Sequence, residues 1–491
     1  MGRDFDLLVI GSGPTGEKAA VKAAYLGKRV AVVERAPVAG GECRKAGLPS
    51  KVLREAALSY SGARRRLGDL FRAAPGEPMR MDTFLRDCDL LCETHAERVV
   101  GNIERHQVTW LRGSARFVDP HRVLVVGAGP RREITADVIL IATGSRPARP
   151  AFIPFGQPGV HCSDTILTME RLPRTLTVVG AGVIGTEYAS IFQALGVEVH
   201  LVDGRSQVLG FLDSEIHDRL LAELRERGMH TNLGESVRAC VANGSGVEVS
   251  TDRGTVIRSE ALLFSGGRLA NTDELGLDEI GVAVGRHGRP IVDQVFRTSV
   301  PHIFAAGDVI GFPALASTGM EQGRVAVAAA FHAGTEHAGR PDVPSLEETI
   351  PYPLLPYGIY TIPSVSMVGQ TEDQLRASGR RYIVGRASYA AQDRGRMLGD
   401  TTGMLKLVCD ADTRAVLGVH IVGETAEELI HLGQACMHFG GTIEYFLRTV
   451  FNFPTLATLY KLAAYDILKQ LGPSAASLVS RPHSARVGHS Q

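Results

Sequence analysis

The 491-residue sequence lacks the features that mark membrane, secreted or nucleic-acid-binding proteins. No apolar run reaches the roughly 18 residues that a membrane-spanning helix needs, and the first residues show no secretion signal. Lysine plus arginine and aspartate plus glutamate both number 53, so the charge balance favours neither nucleic acid nor an acidic membrane as a partner. We therefore expect a cytoplasmic protein whose partners are small molecules.

The cysteines form no recognisable motif. The seven cysteines are scattered without a Cys-x-x-Cys pair, as is typical of a protein in a reducing cytosol. Cys88 and Cys92 lie four residues apart on a predicted helix, and we interpret them as packing thiols rather than as a metal pair. No metal site is predicted.

Glycine, by contrast, is abundant, with 55 residues, and the first cluster follows an apolar strand, FDLLVI. This turn contains Gly11, Gly13 and Gly16. A helix is predicted from Glu17 to Leu26, and a second strand, Arg29–Val33, ends at Glu34, 23 residues after Gly11. Such glycines let the backbone approach a pyrophosphate at a helix N-terminus, while the acid accepts a hydrogen bond from a ribose hydroxyl.

The same unit occurs a second time, beginning with the strand and turn TLTVVGAGVIG. The glycines of this turn are Gly180, Gly182 and Gly185. A helix is predicted from Thr186, and the strand Glu198–Val202 ends at Asp203 with the same spacing. A bare glycine pattern arises easily by chance, but two complete units with their acids indicate two dinucleotide sites.

Three further buried strands end in candidate ligand-binding residues. Val138–Ile141 runs into Thr143 and Gly144, and Ala261–Gly267 is followed by Arg268. The stretch HIFAAGDVIG ends its strand at Gly307 and Asp308. Asp308 could simply cap a helix, but its place after a buried strand favours a binding role.

From about residue 346 the pattern changes to proline- and tyrosine-rich sequence, followed by strands and by two predicted helices, Glu424–Phe439 and Pro454–Leu471. The whole sequence therefore predicts an α/β protein with two Rossmann-like dinucleotide-binding domains and a C-terminal α+β domain. The predicted segments are 1–150 and its return 276–345 for the first domain, 151–275 for the second, 346–471 for the third, and 472–491 for a disordered tail.

On these motifs the chain resembles, over roughly residues 4–470, the two-dinucleotide flavoprotein family of lipoamide dehydrogenase and glutathione reductase. The resemblance implies bound FAD, NAD(H) or NADP(H) as substrate, and a homodimer or higher homo-oligomer formed through the C-terminal domain. The residues that it implies for FAD are Gly11, Gly13, Gly16, Glu34, Arg35, Gly40, Gly41, Cys43, Lys51, Ala115, Thr143, Gly144, Gly307, Asp308, Leu315 and Ala316. Those implied for the nicotinamide nucleotide are Gly180, Gly182, Gly185, Glu187, Asp203, Arg205, Gly267 and Arg268.

Two of these residues are implied to be catalytic. Lys51 matches the family lysine at the N5 edge of the flavin, and Glu187 matches the acid that pairs with this lysine near the nicotinamide. A cation near N5 stabilises the reduced, anionic flavin, and the carboxylate keeps the lysine oriented.

The groups that disulfide reductases of the family need are missing. Cys43 has no second cysteine in its loop, Phe453 stands in the place of the family's histidine, and Thr458 in the place of its glutamate. Because phenylalanine cannot move a proton and one thiol cannot form an internal disulfide, disulfide exchange by the family mechanism is excluded.

What remains is hydride transfer. The stretches GAGVIGTEYASIF, GDVIGFPALAS and GIYTIPSVSMVGQTE resemble the soluble pyridine nucleotide transhydrogenase branch, which implies an FAD-dependent, Si-specific transfer of hydride between NAD(H) and NADP(H). Two other functions stay open: an NAD(P)H:quinone or dye oxidoreductase, and a flavin-bound redox sensor or scaffold. The nucleotide preference is open too, because Asp203 favours NAD whereas Arg205 could attract a 2′-phosphate.

Overall fold

The structure is a computed structural model that describes residues 2–41, 47–67, 79–127, 129–244, 246–331 and 352–472. Cys43 and the predicted tail after Gly472 lie outside the described residues. None of the helices in the described part has the length and apolar character that a membrane crossing requires.

The described residues contain twenty-two strands. In chain order they are β1 (Phe5–Ile10), β2 (Val30–Glu34), β3 (Thr109–Arg112), β4 (Ser114–Asp119), β5 (Arg122–Val126), β6 (Arg132–Ile141), β7 (Ser145–Pro147), β8 (Val160–Cys162), β9 (Thr175–Val179), β10 (Glu198–Asp203), β11 (His230–Leu233), β12 (Val237–Asn243), β13 (Gly246–Thr251), β14 (Val256–Ser259), β15 (Ala261–Phe264), β16 (Arg268–Ala270), β17 (Ile303–Ala305), β18 (Tyr357–Ile359), β19 (Val365–Gly369), β20 (Tyr382–Ser388), β21 (Met404–Asp410) and β22 (Val416–Val422).

The same residues contain twelve α-helices. They are α1 (Pro14–Tyr25), α2 (Leu48–Leu67), α3 (Met81–Phe84), α4 (Cys88–Arg105), α5 (Val183–Ala194), α6 (Ser214–Glu226), α7 (Ala316–Phe331), α8 (Glu372–Ser378), α9 (Asp393–Leu398), α10 (Ala426–His438), α11 (Ile443–Arg448) and α12 (Thr458–Leu471).

Several predicted element boundaries were wrong. Helices α1 and α5 begin three residues before the predicted Glu17 and Thr186, because the glycine turn leads directly into the first helical turn. In α1 that turn opens with Pro14, whose fixed φ suits a first helical position. Helix α12 begins at Thr458 rather than at Pro454, and the short helix α11 was not predicted.

The chain packs as two compact units. One unit comprises Met1–Ala57, Ala73–Gly180 and Val237–Pro351, and the other comprises Leu58–Arg72, Ala181–Ser236 and Tyr352–Gln491. Both mix strands with helices, so the predicted α/β class is confirmed. The finer domain boundaries given above stay a prediction.

The first unit is built on a parallel sheet with the strand order β3-β2-β1-β6-β17. Ile10 is the register partner of both Val33 and Ile141, and Ala305 is paired with Ile141, so four strands end at the same edge. The first half of β6 continues into an antiparallel meander with β5 and β4. Helices α1 and α7 pack against each other beside the sheet.

A second group of parallel strands in this unit has the order β8-β15-β9. Beside it lies a three-stranded antiparallel sheet, β12-β13-β14. Strands β7 and β16 form a short antiparallel ladder, which places the residues after β6 beside those after β15.

In the second unit, β10 and β11 pair in parallel, and a five-stranded antiparallel sheet has the order β18-β19-β22-β21-β20. Helices α10 and α12 cover this larger sheet. Its central strands β21 and β22 are buried almost throughout, which explains their nearly continuous apolar sequence.

One buried charge in this unit is compensated by three acids. The Nζ of Lys406, on β21, is fully buried and lies 2.7 Å from Asp213 Oδ1 and 3.0 Å from Glu215 Oε2, and it also contacts Glu372. Although burial opposes the shift, the hydrogen bonds to Asp213 and Glu372 raise the pKa of Lys406. The ion pairs therefore tie the start of α6, the start of α8 and β21 together.

Removing this charge tests the cluster. Lys406→Met removes the buried cation from three carboxylates, of which Glu215 and Glu372 also contact Arg386. Loss of one partner of a buried ion pair costs about 3–5 kcal/mol. We expect a clear fall in the midpoint of urea unfolding of the second unit. Lys469→Met, at an exposed lysine of α12, is the control and should shift it little. Equal midpoints for the two variants would contradict the assignment.

Candidate functional site

The predicted FAD residues follow the four parallel strands that end at one edge of the first unit's sheet. Gly11 follows β1 with a φ of +107°, and a Cβ there would lie 2.4 Å from the carbonyl oxygen of Ala142. A Cβ on Gly16 would lie 1.9 Å from the carbonyl oxygen of Gly11. Both positions are thus closed by backbone contacts that only glycine permits.

Gly13 lies in a different environment. It is the N-cap of α1, no side chain caps this helix end, and no heavy atom lies within 4 Å of where its Cβ would be. Gly40, in the loop after β2, has a φ of +65°, and a Cβ there would lie 3.2 Å from the Gly13 Cα, whereas Gly41 next to it faces open space. Uncapped backbone N–H groups beside open space fit a pyrophosphate.

The acid at the end of β2 is held by the same turn. Glu34 Oε2 accepts hydrogen bonds from the N–H and the hydroxyl of Ser12, at 2.9 and 2.8 Å, and Oε1 accepts one from Ala36 N at 2.8 Å. The carboxylate is thereby fixed beside the glycine turn, where a ribose hydroxyl would lie. The neighbouring Arg35 points to the surface and pairs with Glu274 at 3.2 Å.

A polar group without a hydrogen-bond partner among the described residues follows the end of β6. The Thr143 hydroxyl is buried without a hydrogen-bond partner among the described residues. Asn271 donates from its side chain to Thr143 O at 2.9 Å and from its backbone to Gly144 O at 3.0 Å. Gly144 has a φ of +67° with open space at its Cβ position, so this strand end can also receive a ligand.

A chain of hydrogen bonds connects Arg268 with Asp308. Arg268 Nε donates to the Ser145 hydroxyl at 2.7 Å, and that hydroxyl donates to Asp308 Oδ2 at 3.1 Å. The Nη1 of Arg268 is buried without a partner among the described residues, and Gly267 beside it faces open space. The resemblance assigned Arg268 and Asp308 to different nucleotides, whereas the structure brings them together through Ser145, which sequence reasoning missed.

Gly307 is packed against the first helix. A Cβ at this residue, whose φ is +82°, would lie 2.4 Å from the Thr15 hydroxyl, and a Cβ on Gly319 of α7 would lie 2.5 Å from the same hydroxyl. The Gly307 N–H donates to Gln322 Oε1 at 2.7 Å. Thr15 and Gln322 therefore position the Gly307–Asp308 strand end, although neither belongs to a recognisable motif.

The remaining FAD predictions fall in mixed surroundings. Ala115 is buried in the core of β4, so any contact with the cofactor would have to come from its backbone. Leu315 is half-buried and Ala316 exposed at the start of α7, and Lys51 is half-buried in the first turn of α2. Their binding roles stay predictions.

The second glycine turn repeats the features of the first. Gly180 follows β9 with a φ of +110°, and a Cβ there would lie 2.8 Å from Ser265 O. Gly182 is the N-cap of α5, again without a side-chain cap, and Gly185 is buried in the first turn. A second helix start without a side-chain cap thus follows a glycine turn.

Asp203, at the end of β10, holds Arg205 in a two-point ion pair. Arg205 donates from Nε to Oδ1 at 3.0 Å and from Nη2 to Oδ2 at 2.7 Å, and Ala181 N donates to Oδ2 at 2.6 Å. Although burial opposes the shift, the hydrogen bonds from Arg205 and Ala181 lower the pKa of Asp203. The Arg205 side chain is 63% exposed and so remains accessible to an anionic group.

Glu187 is buried on α5 and anchors a segment of the second unit. Its Oε1 accepts a hydrogen bond from Tyr360 N at 2.8 Å, and the Ser190 hydroxyl accepts one from Ile362 N at 3.0 Å. These bonds tie residues 360–362 to the helix, a contact that spacing along the chain could not reveal. The pairing of Glu187 with Lys51 stays a prediction.

The described residues offer no disulfide. None of the six cysteines in the described part forms a disulfide, and burial raises the pKa of Cys240 and Cys436 to about 11. Phe453 is 79% exposed, and Thr458 opens α12. Neither position supplies a proton-moving group.

Comparison with known proteins agrees with this geometry. The sequence profile of the family described as "Pyridine nucleotide-disulphide oxidoreductase" matches residues 5–329, and its dimerisation domain matches residues 355–464. The "Soluble pyridine nucleotide transhydrogenase" of Mycobacterium tuberculosis is 43% identical over 480 residues, which are 96% of this chain and 98% of the relative. The protein of the same name from Chromohalobacter salexigens is 41% identical, over 95% of this chain and 99% of its own length.

A solved structure, LpdA from Mycobacterium tuberculosis, superimposes with a TM-score of 0.84 at 25% identity and covers 95% of this chain and all of its own. The chain therefore belongs to the pyridine nucleotide-disulphide oxidoreductase family, in the branch of the soluble pyridine nucleotide transhydrogenases.

Proposed function

We propose that this protein transfers hydride between NAD(H) and NADP(H) by means of bound FAD. The observation that carries the proposal is the combination of two glycine turns, each followed by its acid, with Phe453 in the place of a proton-moving histidine. The name of the relatives from Mycobacterium tuberculosis and Chromohalobacter salexigens supports the same reaction.

The first unit fits FAD. The uncapped start of α1 and the open space at Gly13 would receive the pyrophosphate, and Glu34 the adenosine ribose. Asp308, Ser145 and the unpaired Thr143 hydroxyl would bind the remaining polar groups. When bound there, the flavin supplies a two-electron acceptor and donor for nicotinamide nucleotides.

The second turn and the Asp203–Arg205 pair would bind the nicotinamide nucleotides. Asp203 presents carboxylate oxygens for the ribose hydroxyls of NAD, while Arg205 is exposed enough to turn toward a 2′-phosphate. Because each residue serves one of the two nucleotides, the ion pair lets a single site accept both.

Lys51 and Glu187 are proposed as the catalytic pair. The Tyr360 N–H donates to Glu187 and fixes its carboxylate, which would in turn orient the Lys51 ammonium toward the flavin edge. The Si-specific course of the transfer and a cytoplasmic location belong to the same proposal.

A homodimer is proposed as the functional assembly. The second unit exposes large apolar side chains within or next to the helices that follow its sheet, and they lie in the segment matched by the dimerisation profile. Val450 is 91% exposed and Phe439 is 85% exposed, a degree that favours burial against a second copy.

The reaction is tested by mixing FAD-loaded protein with NADPH and thio-NAD⁺ in the absence of oxygen. We expect reduced thio-NAD to form continuously, because the only acceptor present is the second nucleotide. A quinone added in a parallel reaction separates the alternatives. Turnover only in the presence of the quinone would indicate a quinone oxidoreductase, and no turnover under either condition would contradict any hydride-transfer function.

Asp203→Ala tests the nucleotide assignment. The variant removes the carboxylate that binds NAD's ribose and repels a 2′-phosphate, and hydrogen bonds to charged groups contribute about 1.5–3 kcal/mol. The NADPH to NADH ratio of kcat/KM should therefore rise roughly tenfold or more.

Arg205→Ala is the matched variant of the other half of the pair, and it should lower the same ratio. Both substitutions break the same ion pair. If they shift the NADPH to NADH ratio of kcat/KM in opposite directions, the shifts report nucleotide recognition and not the loss of the pair. An unchanged ratio in Asp203→Ala, with FAD content preserved, would refute the assignment.

A further inference from the structure

Three side chains with metal-binding donors meet on the β10–β11 pair, at the opposite end of β10 from Asp203. His200 on β10 and His230 on β11 are register partners in the parallel ladder. Glu198 precedes His200 by two residues on the same strand and so lies on the same face of the sheet. The imidazoles stack with centroids 4.6 Å apart and planes inclined by 15°.

Their donor atoms have the spacing of a metal coordination sphere. Glu198 Oε1 lies 3.4 Å from His200 Nε2 and 3.5 Å from His230 Nε2. Zinc binds such ligands tetrahedrally at about 2.0–2.2 Å, which separates two ligand atoms by roughly 3.3–3.6 Å. The two distances therefore match the edges of a zinc tetrahedron, whereas both are long for hydrogen bonds.

A second stacked histidine pair shows how differently a purely structural pair is arranged. His121 and His302 stack at 3.6 Å, but His121 Nδ1 lies 3.1 Å from Ala136 O, and His302 Nε2 lies 2.8 Å from Pro120 O. Backbone carbonyls occupy those nitrogens. In the β10–β11 cluster both Nε2 atoms instead face one carboxylate oxygen.

The acidic cluster around Lys406 shows how close carboxylates are arranged when a lysine neutralises them. Asp213, Glu215 and Glu372 also bring their oxygens close together, but the Lys406 ammonium lies among them and supplies the positive charge. Among the described residues, Glu198 forms no ion pair with a lysine or arginine, and its charge partners are the two histidines.

Access and protonation also suit a metal ion. The side chains of Glu198 and His230 are 54% and 56% exposed, and that of His200 is 21% exposed. Burial, together with the nearby His230, lowers the pKa of His200 and so favours the neutral imidazole, which is the form that binds metals.

We propose that Glu198, His200 and His230 bind one divalent transition-metal ion of the zinc type, with the fourth coordination position open to water. The ion would cross-link β11 to β10. No metal site was predicted from the sequence, and this proposal does not depend on the hydride-transfer function.

The test is a titration of chelator-treated, FAD-loaded protein with Co²⁺. We expect one equivalent to bind with the visible absorption of tetrahedral cobalt, free of thiolate charge-transfer bands, and Zn²⁺ to displace it. Zn²⁺ should also raise the unfolding temperature, because it binds the folded chain.

Two single variants and a control keep the test decisive. Glu198→Gln and His230→Gln each remove one ligand, so Co²⁺ affinity should fall at least by the roughly 10-fold to 100-fold that loss of an outer-shell partner costs. His431→Gln, at an exposed histidine of α10, should bind like the native chain. FAD content and unfolding temperature without metal show that each variant is folded.

No stoichiometric binding to the native chain would overturn the proposal. Undiminished binding in both ligand variants, or cobalt spectra with thiolate bands, would overturn it as well, because the ion would then have other ligands.

Discussion

The close backbone approach at the end of β1 is the constraint on which the first unit depends. Gly11 lies against Ala142 at the end of β6, and Gly16 lies against Gly11, so strand, turn and helix meet with no room for a Cβ. The same packing leaves Gly13 at an uncapped helix start with open space above it. Tight contact on one side of the turn and uncapped N–H groups on the other thus have one origin, and together they fit the pyrophosphate that we propose to bind there.

The second glycine turn shows the same close backbone contact, but the acid that follows it, Asp203, has different hydrogen-bond partners. Among the described residues, Glu34 accepts hydrogen bonds from Ser12 and Ala36, whereas Asp203 also binds the Arg205 guanidinium. A carboxylate held by backbone and hydroxyl donors suits a nucleotide that stays bound. A carboxylate that shares an exposed arginine suits a site where two nucleotides, differing by one phosphate, exchange.

Much of this could be predicted from the sequence because it is local. Gly11 to Gly16, and Gly180 to Gly185, are each one turn between a strand and a helix, and the acid follows at the end of the next strand. Ser145, Gln322 and Tyr360 could not be found in this way, because tertiary packing brings them to Asp308, Gly307 and Glu187. His200 and His230 are 30 positions apart and meet only through the register of β10 and β11. Short elements such as α11 and β18 were missed because a few residues show no periodicity.

The central claim is that both nucleotides react in turn at one site, through the flavin and without a dithiol. Initial rates measured over a grid of NADPH and thio-NAD⁺ concentrations test it most directly. Because the first nucleotide must leave before the second enters, reciprocal plots should be parallel. NADP⁺ should compete with thio-NAD⁺ for the reduced enzyme, and thio-NADH should compete with NADPH for the oxidised enzyme. Intersecting lines, which require a complex of both nucleotides with the protein, would contradict the account.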